Sequence, residues 1–158
     1  MLVMDTPVKR SKISPQRSTS SNRFYDEKLK STLNTKSEYK LADTKMYENF
    51  NTLNSFLDLP ENWNDNDAEC FEEGLVKKAM RIIRKLPMQP DVFPTARNSI
   101  QFEYEKENGE YLEFEIFSKS IECFMIDADG MEKEFNVYDV VEMIQEVVDF
   151  YERTDKRE

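Results

Sequence analysis

The chain has 158 residues and a net charge of -10, and it contains no histidine and only 3 glycines. This length allows one domain of ordinary size plus a tail. Ser-His, Cys-His and zinc-hydrolase mechanisms are excluded, because each of them needs an imidazole. Neither a P-loop nor a G-x-G-x-x-G dinucleotide loop can be written with these glycines. We therefore expect a protein that is not an enzyme and has no cofactor.

Cysteine content and hydropathy indicate the compartment. Cys70 and Cys123 are the only cysteines, too few for a four-cysteine metal site, and we expect reduced thiols. The first residues lack the basic and then apolar pattern of a signal peptide. No stretch approaches the length of apolar sequence that a membrane span requires. The sequence predicts a cytoplasmic protein.

Charge is distributed unevenly along the chain. Residues 1–50 carry 10 Lys/Arg against 6 Asp/Glu, whereas residues 51–158 carry 12 against 26. The first 40 residues are rich in Ser, Thr, Lys, Arg and Asn, and they cannot bury enough apolar area to offset chain entropy. We predict a disordered basic tail over 1–40 and a single α+β domain over 41–158.

A first helix is predicted over 44–58. Tyr47, Phe50, Leu53 and Leu57 recur at helical spacing and form one apolar stripe. Trp63 follows in a turn rich in Asn and Asp, where we expect it to cover the core.

A second helix is predicted over 67–86. Asn66 and Glu69 have the spacing of a capping box at its start. Its inner face comprises Leu75, Ala79, Ile82, Ile83 and Leu86. Its basic residues are Lys77, Lys78, Arg81, Arg84 and Lys85. The helix is therefore amphipathic, with a basic side exposed to solvent.

Alternating sequence then predicts a four-stranded antiparallel meander over 99–106, 110–117, 120–127 and 131–135. Directly opposed residues of an antiparallel pair share a face. A three-residue loop ending at Gly109 places Phe102 opposite Phe114, whereas a two-residue loop mixes core and solvent positions. The same reasoning selects a three-residue loop ending at Gly130 and a two-residue turn at 118–119.

A C-terminal amphipathic helix completes the predicted fold. Its apolar stripe comprises Val137, Val140, Val141, Ile144, Val147, Val148 and Tyr151. Asn136 is the predicted N-cap, and Asp139 lies in the first turn. The predicted fold class is α+β: two N-terminal helices, a four-stranded antiparallel β-meander and a C-terminal helix. The second and third helices cover its apolar sheet face.

The other face of the predicted sheet is acidic. It collects Glu103, Glu105, Glu113, Glu115, Glu122, Glu132 and Glu134, with Tyr111, Phe117, Phe124 and Ile126 among them. The registers oppose Glu103 to Glu113 and Glu115 to Glu122, and opposed like charges reduce stability. One interpretation is a docking surface for a basic partner, and the other is a solvated sheet face.

Other patterns offer weaker alternatives. A pair of these carboxylates has the spacing that glycoside hydrolysis uses, but an open face provides no cleft. The segment 64–69 resembles a cation loop but lacks the glycine and terminal glutamate of an EF-hand. The basic side of helix 75–86, together with the tail, could instead contact nucleic acid. The opposite charges of sheet and helix also favour self-association.

The order of several segments resembles a family of small bacterial and mobile-element proteins with an L-P-x-N-W-D-G motif. The resemblance rests on 59–63 (L-P-E-N-W), on the P-x-V-x-P stretch at 90–94 and on the strand sequences at 100–104 and 112–116. Asn64-Asp65 replaces the usual Asp-Gly, and Asp67 replaces a later glycine. The resemblance covers about residues 57–151 and implies an antitoxin, immunity or accessory protein, with no catalytic residue to carry over.

These observations favour a non-enzymatic, acidic protein-binding module. The expected role is that of an antitoxin, immunity protein or phage anti-defence inhibitor acting on a basic toxin, nuclease or defence protein. The alternative is a nucleic-acid accessory protein acting through the tail and helix 75–86.

Overall fold

The computed structural model describes residues 36–153, with side chains from residue 41 onward. Its elements in chain order are α1 (Lys36–Ser55), a 3-10 turn (Phe56–Asp58), α2 (Glu73–Ile83), β1 (Asp91–Thr95), β2 (Ser99–Glu105), β3 (Tyr111–Ile116), β4 (Ile121–Ile126), β5 (Glu132–Val137) and α3 (Val140–Glu152). The α+β class with an antiparallel sheet is confirmed. Residues 1–35 of the predicted tail lie outside the described residues, whereas residues 36–40 belong to α1.

The sheet has five strands in the order β1-β2-β3-β4-β5, so the predicted number of four is wrong. The additional strand, β1, contains Pro94 and follows Pro90. Proline cannot donate to a sheet ladder, but an edge strand tolerates it because one side of that strand needs no donor. β1 is such an edge strand, and it places Val92 opposite Phe102.

The predicted hairpin registers are confirmed. Phe102 lies opposite Phe114, and Cys123 lies opposite Phe135. Gly109 and Gly130 both have positive φ, at 84° and 76°, and each is the last residue of its three-residue loop. Glycine is favoured there because it has no Cβ to clash in the left-handed region. The two-residue turn at 118–119 closes with a bond from the Phe117 amide to the Ser120 carbonyl.

The core lies on one side of the sheet. Phe102, Phe114 and Leu112 are fully buried there. They belong to one cluster with Leu53 of α1, Ile82 and Ile83 of α2, and Met143 and Val147 of α3. All three helices therefore pack on the same side of the sheet, as an antiparallel sheet with one solvated face allows.

The first helix is longer than predicted, and its inner side differs. Tyr47 and Leu57 are exposed, whereas Leu53 and Phe56 are buried. Asn49 is also buried, and its Nδ2 donates to the Pro90 carbonyl at 3.0 Å. The buried side of the helix is rotated relative to the predicted stripe because the helix lies beside the start of β1. Sequence spacing does not reveal this neighbour.

The second helix begins at Glu73, not near residue 67, and the predicted capping box is wrong. Asp65 and Asp67 have positive φ, at 57° and 60°, and a helix cannot include such residues. The Asn64 side chain accepts from the amides of Asn66 and Ala68, at 2.9 and 3.1 Å. Ala68 and Phe71 then enter the core, so the chain stays extended until Glu72.

Two aspartates in the turn after Trp63 adopt a backbone conformation that glycine prefers. Asp65 and Asp67 are those residues, and both are in the left-handed region. The Asn62 side chain helps to hold them there by accepting from the Asp67 amide at 2.8 Å. The turn therefore holds two non-glycine residues in the left-handed region, at a cost in backbone energy.

The N-cap of the last helix lies three residues later than predicted. Asn136 and Val137 belong to β5, and Asp139 is the N-cap. The Asp139 carboxylate accepts from the amides of Val141 and Glu142, at 2.8 and 2.9 Å. Val141, predicted to be buried, is 74% exposed, and Phe150 is buried instead. Strand pairing with β4 retains residue 137 in the sheet and delays the helix.

The two N-cap candidates allow a direct comparison. We expect Asp139→Ala to lower the free energy of unfolding by about 1 kcal/mol, because two helix amides lose their acceptor. Asn136→Ala is the matched control, since no hydrogen bond to a helix amide is lost there. Urea unfolding of both variants measures the difference, and an equal loss for the two would contradict the assignment of the cap.

Glycine substitution tests the backbone energy of the 62–68 turn. Asp65→Gly and Asp67→Gly are each expected to raise the free energy of unfolding by about 0.5–1 kcal/mol. The left-handed region costs an L residue about 1–2 kcal/mol. Glycine avoids this cost but loses more conformational entropy on folding, so the net gain is smaller. Asn66→Gly is the control in the same turn, since its φ is not positive, and it should destabilise. Thermal or urea unfolding showing a loss for all three would refute the argument.

Candidate protein-binding face

The side of the sheet opposite the core carries the predicted acidic residues. We call it the acidic face, comprising Glu103, Glu105, Glu113, Glu115, Glu122, Glu132 and Glu134 with Tyr111, Phe117, Phe124 and Ile126. One row across strands β2 to β5 consists of Glu103, Glu113, Phe124 and Glu134 as successive neighbours. The next row consists of Glu105, Tyr111, Ile126 and Glu132. The predicted residues therefore lie together on one surface.

Like charges are directly opposed on this surface. Glu103 lies opposite Glu113, and Asp91 of β1 lies opposite Glu103 on its other side. Partial burial raises the pKa of Glu103 above its ordinary value, and the charges of Glu113 and Asp91 add to the increase. Lys45 offsets the charge of Asp91 at 2.7 Å, so the negative potential of this row comes mainly from Glu103 and Glu113.

Polar neighbours hold the row in place. The Tyr111 hydroxyl donates to Glu113 at 2.7 Å, and the Gln101 amide donates to Glu103 at 2.5 Å. Burial and the bond to Glu113 raise the pKa of Tyr111 well above its ordinary value. Tyr111 therefore remains a neutral donor and fixes the orientation of one carboxylate.

One end of the face is neutralised by an arginine that sequence reasoning missed. Arg97 lies in the loop between β1 and β2, and its Nη1 is 2.6 Å from Glu115 while its Nη2 is 3.4 Å from Glu122. Its guanidinium carbon is 5.0 Å from the centroid of the Phe117 ring. Recognising β1 would have placed this loop beside the acidic face. Arg97 was missed because the sequence pattern did not reveal the edge strand β1.

Glu115 differs from the exposed residue that the sequence predicts. It is only 8% exposed, and Ser99 Oγ donates to it at 2.5 Å in addition to the Arg97 contact. The Arg97 cation and the Ser99 hydroxyl together supply the polar partners that a buried side chain of this kind needs. Glu115 therefore holds the β1–β2 loop against the sheet and is not available to a partner.

A shallow depression of about 530 Å³ lies in the acidic face. Its lining includes Arg97, Glu113, Glu122, Phe124, Glu134 and Asn136. A smaller cavity of about 250 Å³, beside Cys70 and Asn98, lies away from the face. The larger depression is thus acidic, and it contains an aromatic ring.

Between residues 36 and 153, no group of three or more His, Cys, Asp or Glu side chains is arranged to hold a metal ion. Burial raises the pKa of Cys123 to about 12, so its thiol is a poor nucleophile. None of the helices in this range is long and apolar enough to cross a membrane.

The basic side of α2 is partly occupied by the protein itself. The Lys78 ammonium donates to the carbonyls of Phe117, Ser118 and Ser120 at 2.6 to 3.3 Å. Arg84 lies over the Phe50 ring at 4.9 Å. These two cations therefore hold α2 against neighbouring elements.

Comparison with protein-family models, curated proteins and solved structures found no match for this chain. The resemblance to the L-P-x-N-W-D-G family stays a prediction.

Replacing Glu103 tests the electrostatics of the row. A carboxyl whose pKa is raised on folding stabilises the fold fully below its unfolded pKa, near 4.3, and loses this contribution as pH rises. We expect Glu103→Gln to gain stability relative to wild type between about pH 4 and pH 7. Urea unfolding at both pH values measures the gain.

Glu132→Gln is the control, because Glu132 lies opposite Ile126 and not opposite a carboxylate. Its effect on the free energy of unfolding should be small and similar at the two pH values. A stability gain of Glu103→Gln over wild type that becomes smaller toward pH 7 would contradict the raised pKa of Glu103.

Proposed function

We propose that the protein is a non-enzymatic binding module whose acidic face docks a basic surface of a partner protein. The observation that carries this proposal is the row of opposed carboxylates on a sheet face over which no helix between residues 36 and 153 packs. A solvated face gains nothing from opposed like charges, which reduce stability by a few tenths of a kcal/mol or more per pair. A basic partner would turn that repulsion into attraction.

The composition of the face supports docking. Tyr111, Phe124 and Ile126 are half-buried between the carboxylates, and Phe93 on β1 is 44% exposed. Interfaces commonly place aromatic anchors inside a polar or charged rim. The charged rim would accelerate association, and the rings would provide contact area that is removed from water.

The size of the face limits the kind of complex. Five strands of about six residues span roughly 20 by 20 Å, or about 400 Å². A standard interface buries about 800 Å² on each partner. The proposed complex therefore depends on electrostatic steering and a few strong contacts, or it extends onto neighbouring loops.

An inhibitor role is consistent with these properties. Antitoxins, immunity proteins and phage anti-defence proteins act by occupying a partner and need no catalytic groups of their own. The proposed partner is a basic toxin, nuclease or defence protein. A nucleic-acid role through α2 is less favoured, because Lys78 and Arg84 already contact this chain.

Two triple variants with reversed charges test the proposal. Glu103, Glu113 and Glu134 become lysine in one triple variant, and Glu48, Glu61 and Glu152 become lysine in the control. The control residues are exposed outside the acidic face, so both variants change the net charge equally. We expect the first triple to lose binding to a fluorescent deca-lysine peptide by at least tenfold, while the control retains most of it.

The same variants then serve as baits in the native host. A basic protein captured by wild type and the control, but not by the first triple, would be the proposed partner. Equal deca-lysine binding by both triples would refute a role for the face. Salt-dependent binding of wild type to duplex DNA, lost on removal of residues 1–40, would instead favour the nucleic-acid alternative.

A further inference from the structure

The acidic face already binds one arginine, that of its own chain. The Arg97 guanidinium lies over Phe117 at 5.0 Å and is bonded to Glu115 at 2.6 Å and to Glu122 at 3.4 Å. The elements of this contact are an aromatic ring and two carboxylates from adjacent strands. Arginine suits it because a planar guanidinium can stack on a ring while its edge donates to carboxylates.

A ring and two carboxylates also occur one row further along the sheet, with the carboxylates on the two strands that flank the ring. Phe124 of β4 lies directly between Glu113 of β3 and Glu134 of β5. All three line the depression of about 530 Å³. Arg97 is the one cationic residue in that lining, and its ion pairs are with Glu115 and Glu122. Within the described range, Glu113 and Glu134 have no such pair with a cation of the chain.

We propose that Phe124, Glu113 and Glu134 form a pocket for an arginine side chain of the partner, with the guanidinium stacked on the ring between the two carboxylates. This inference rests on the proposed function and specifies the chemistry of its central contact. Strands on either side of Phe124 place the two glutamate backbones about 10 Å apart. That separation leaves room for a guanidinium above the ring, within reach of both side chains.

The surroundings favour arginine over lysine at this position. The Tyr111 hydroxyl holds Glu113 at 2.7 Å, and the Tyr111 ring lies 6.2 Å from the Phe124 ring at an angle of 59°. One carboxylate is thus oriented before binding, which favours a ligand with fixed donor geometry. A lysine ammonium is a point charge without a flat surface to stack. It would be attracted by the two carboxylates but would gain no stacking contact with the Phe124 ring.

The small size of the face gives this pocket its importance. An interface of limited area depends on a few anchors, and arginine and aromatic residues are the usual ones. A partner with an arginine at the centre of its basic surface would gain a stacked contact and two charge-assisted hydrogen bonds at one position.

Deca-arginine and deca-lysine peptides distinguish the two cations without an identified partner. We expect wild type to bind deca-arginine about fivefold or more tightly than deca-lysine in fluorescence anisotropy at moderate salt, as the strength of cation–π contacts implies. Phe124→Leu should reduce this ratio toward one while retaining deca-lysine binding. Tyr47→Leu is the matched control, since Tyr47 is an exposed ring on α1, outside the acidic face, and it should keep the ratio.

A second variant guards against effects on folding. Glu134 is exposed, and Glu134→Gln should lower the preference for arginine with little change in the urea midpoint. In wild type, N-acetyl-argininamide should shift the backbone amide resonances of residues 113, 124 and 134 more than N-acetyl-lysinamide does.

The outcomes separate the two proposals. Equal binding of both peptides by wild type, or a preference that persists in both Phe124→Leu and Glu134→Gln, would overturn the arginine pocket and leave the acidic face as a docking surface. Failure of wild type to bind either peptide would overturn the proposed function together with the pocket.

Discussion

Burial of one side of the sheet is the constraint on which the rest of the structure depends. Phe102 and Phe114 face each other at the centre and are completely buried, and side chains from all three helices join them in one cluster. Side chains alternate along a strand, so every residue between two core positions must lie on the other side. The carboxylates are therefore brought together by the packing of the apolar residues beside them.

Within that surface, Arg97 separates two regions of different character. Near the β1–β2 loop, its contacts with Glu115 and Glu122 and its position over Phe117 form a cluster in which one cation offsets part of the charge of two carboxylates. Further along the strands, Glu103 and Glu113 are opposed, neither has an ion pair within residues 41–153, and the pKa of Glu103 is raised. The first region stabilises the edge of the sheet, and the second concentrates negative potential. Binding is therefore proposed for the second region.

The hairpins were predictable because their determinants are local. Gly109 and Gly130 mark left-handed positions. Since apolar residues must share one face of the sheet, only one loop length is then possible for each turn. The edge strand β1 was not predictable from pattern, since Pro90 and Pro94 argue against a strand unless its place at the edge is known. Helix starts were misjudged for a similar reason. Asp67 adopts a left-handed conformation, and Val137 stays paired with Ile121.

Sequence alone determined the fold class, the registers of the three hairpins from β2 to β5 and the identity of the residues that share the acidic face. These follow from alternation and turn chemistry, which act over a few residues. Only the tertiary structure decided that Glu115 is buried, that Arg97 reaches across two strands to Glu115 and Glu122, and that Phe124 lies beside a depression between Glu113 and Glu134. Those features depend on which elements become neighbours, and contacts between residues distant in the chain leave no periodic signal in it.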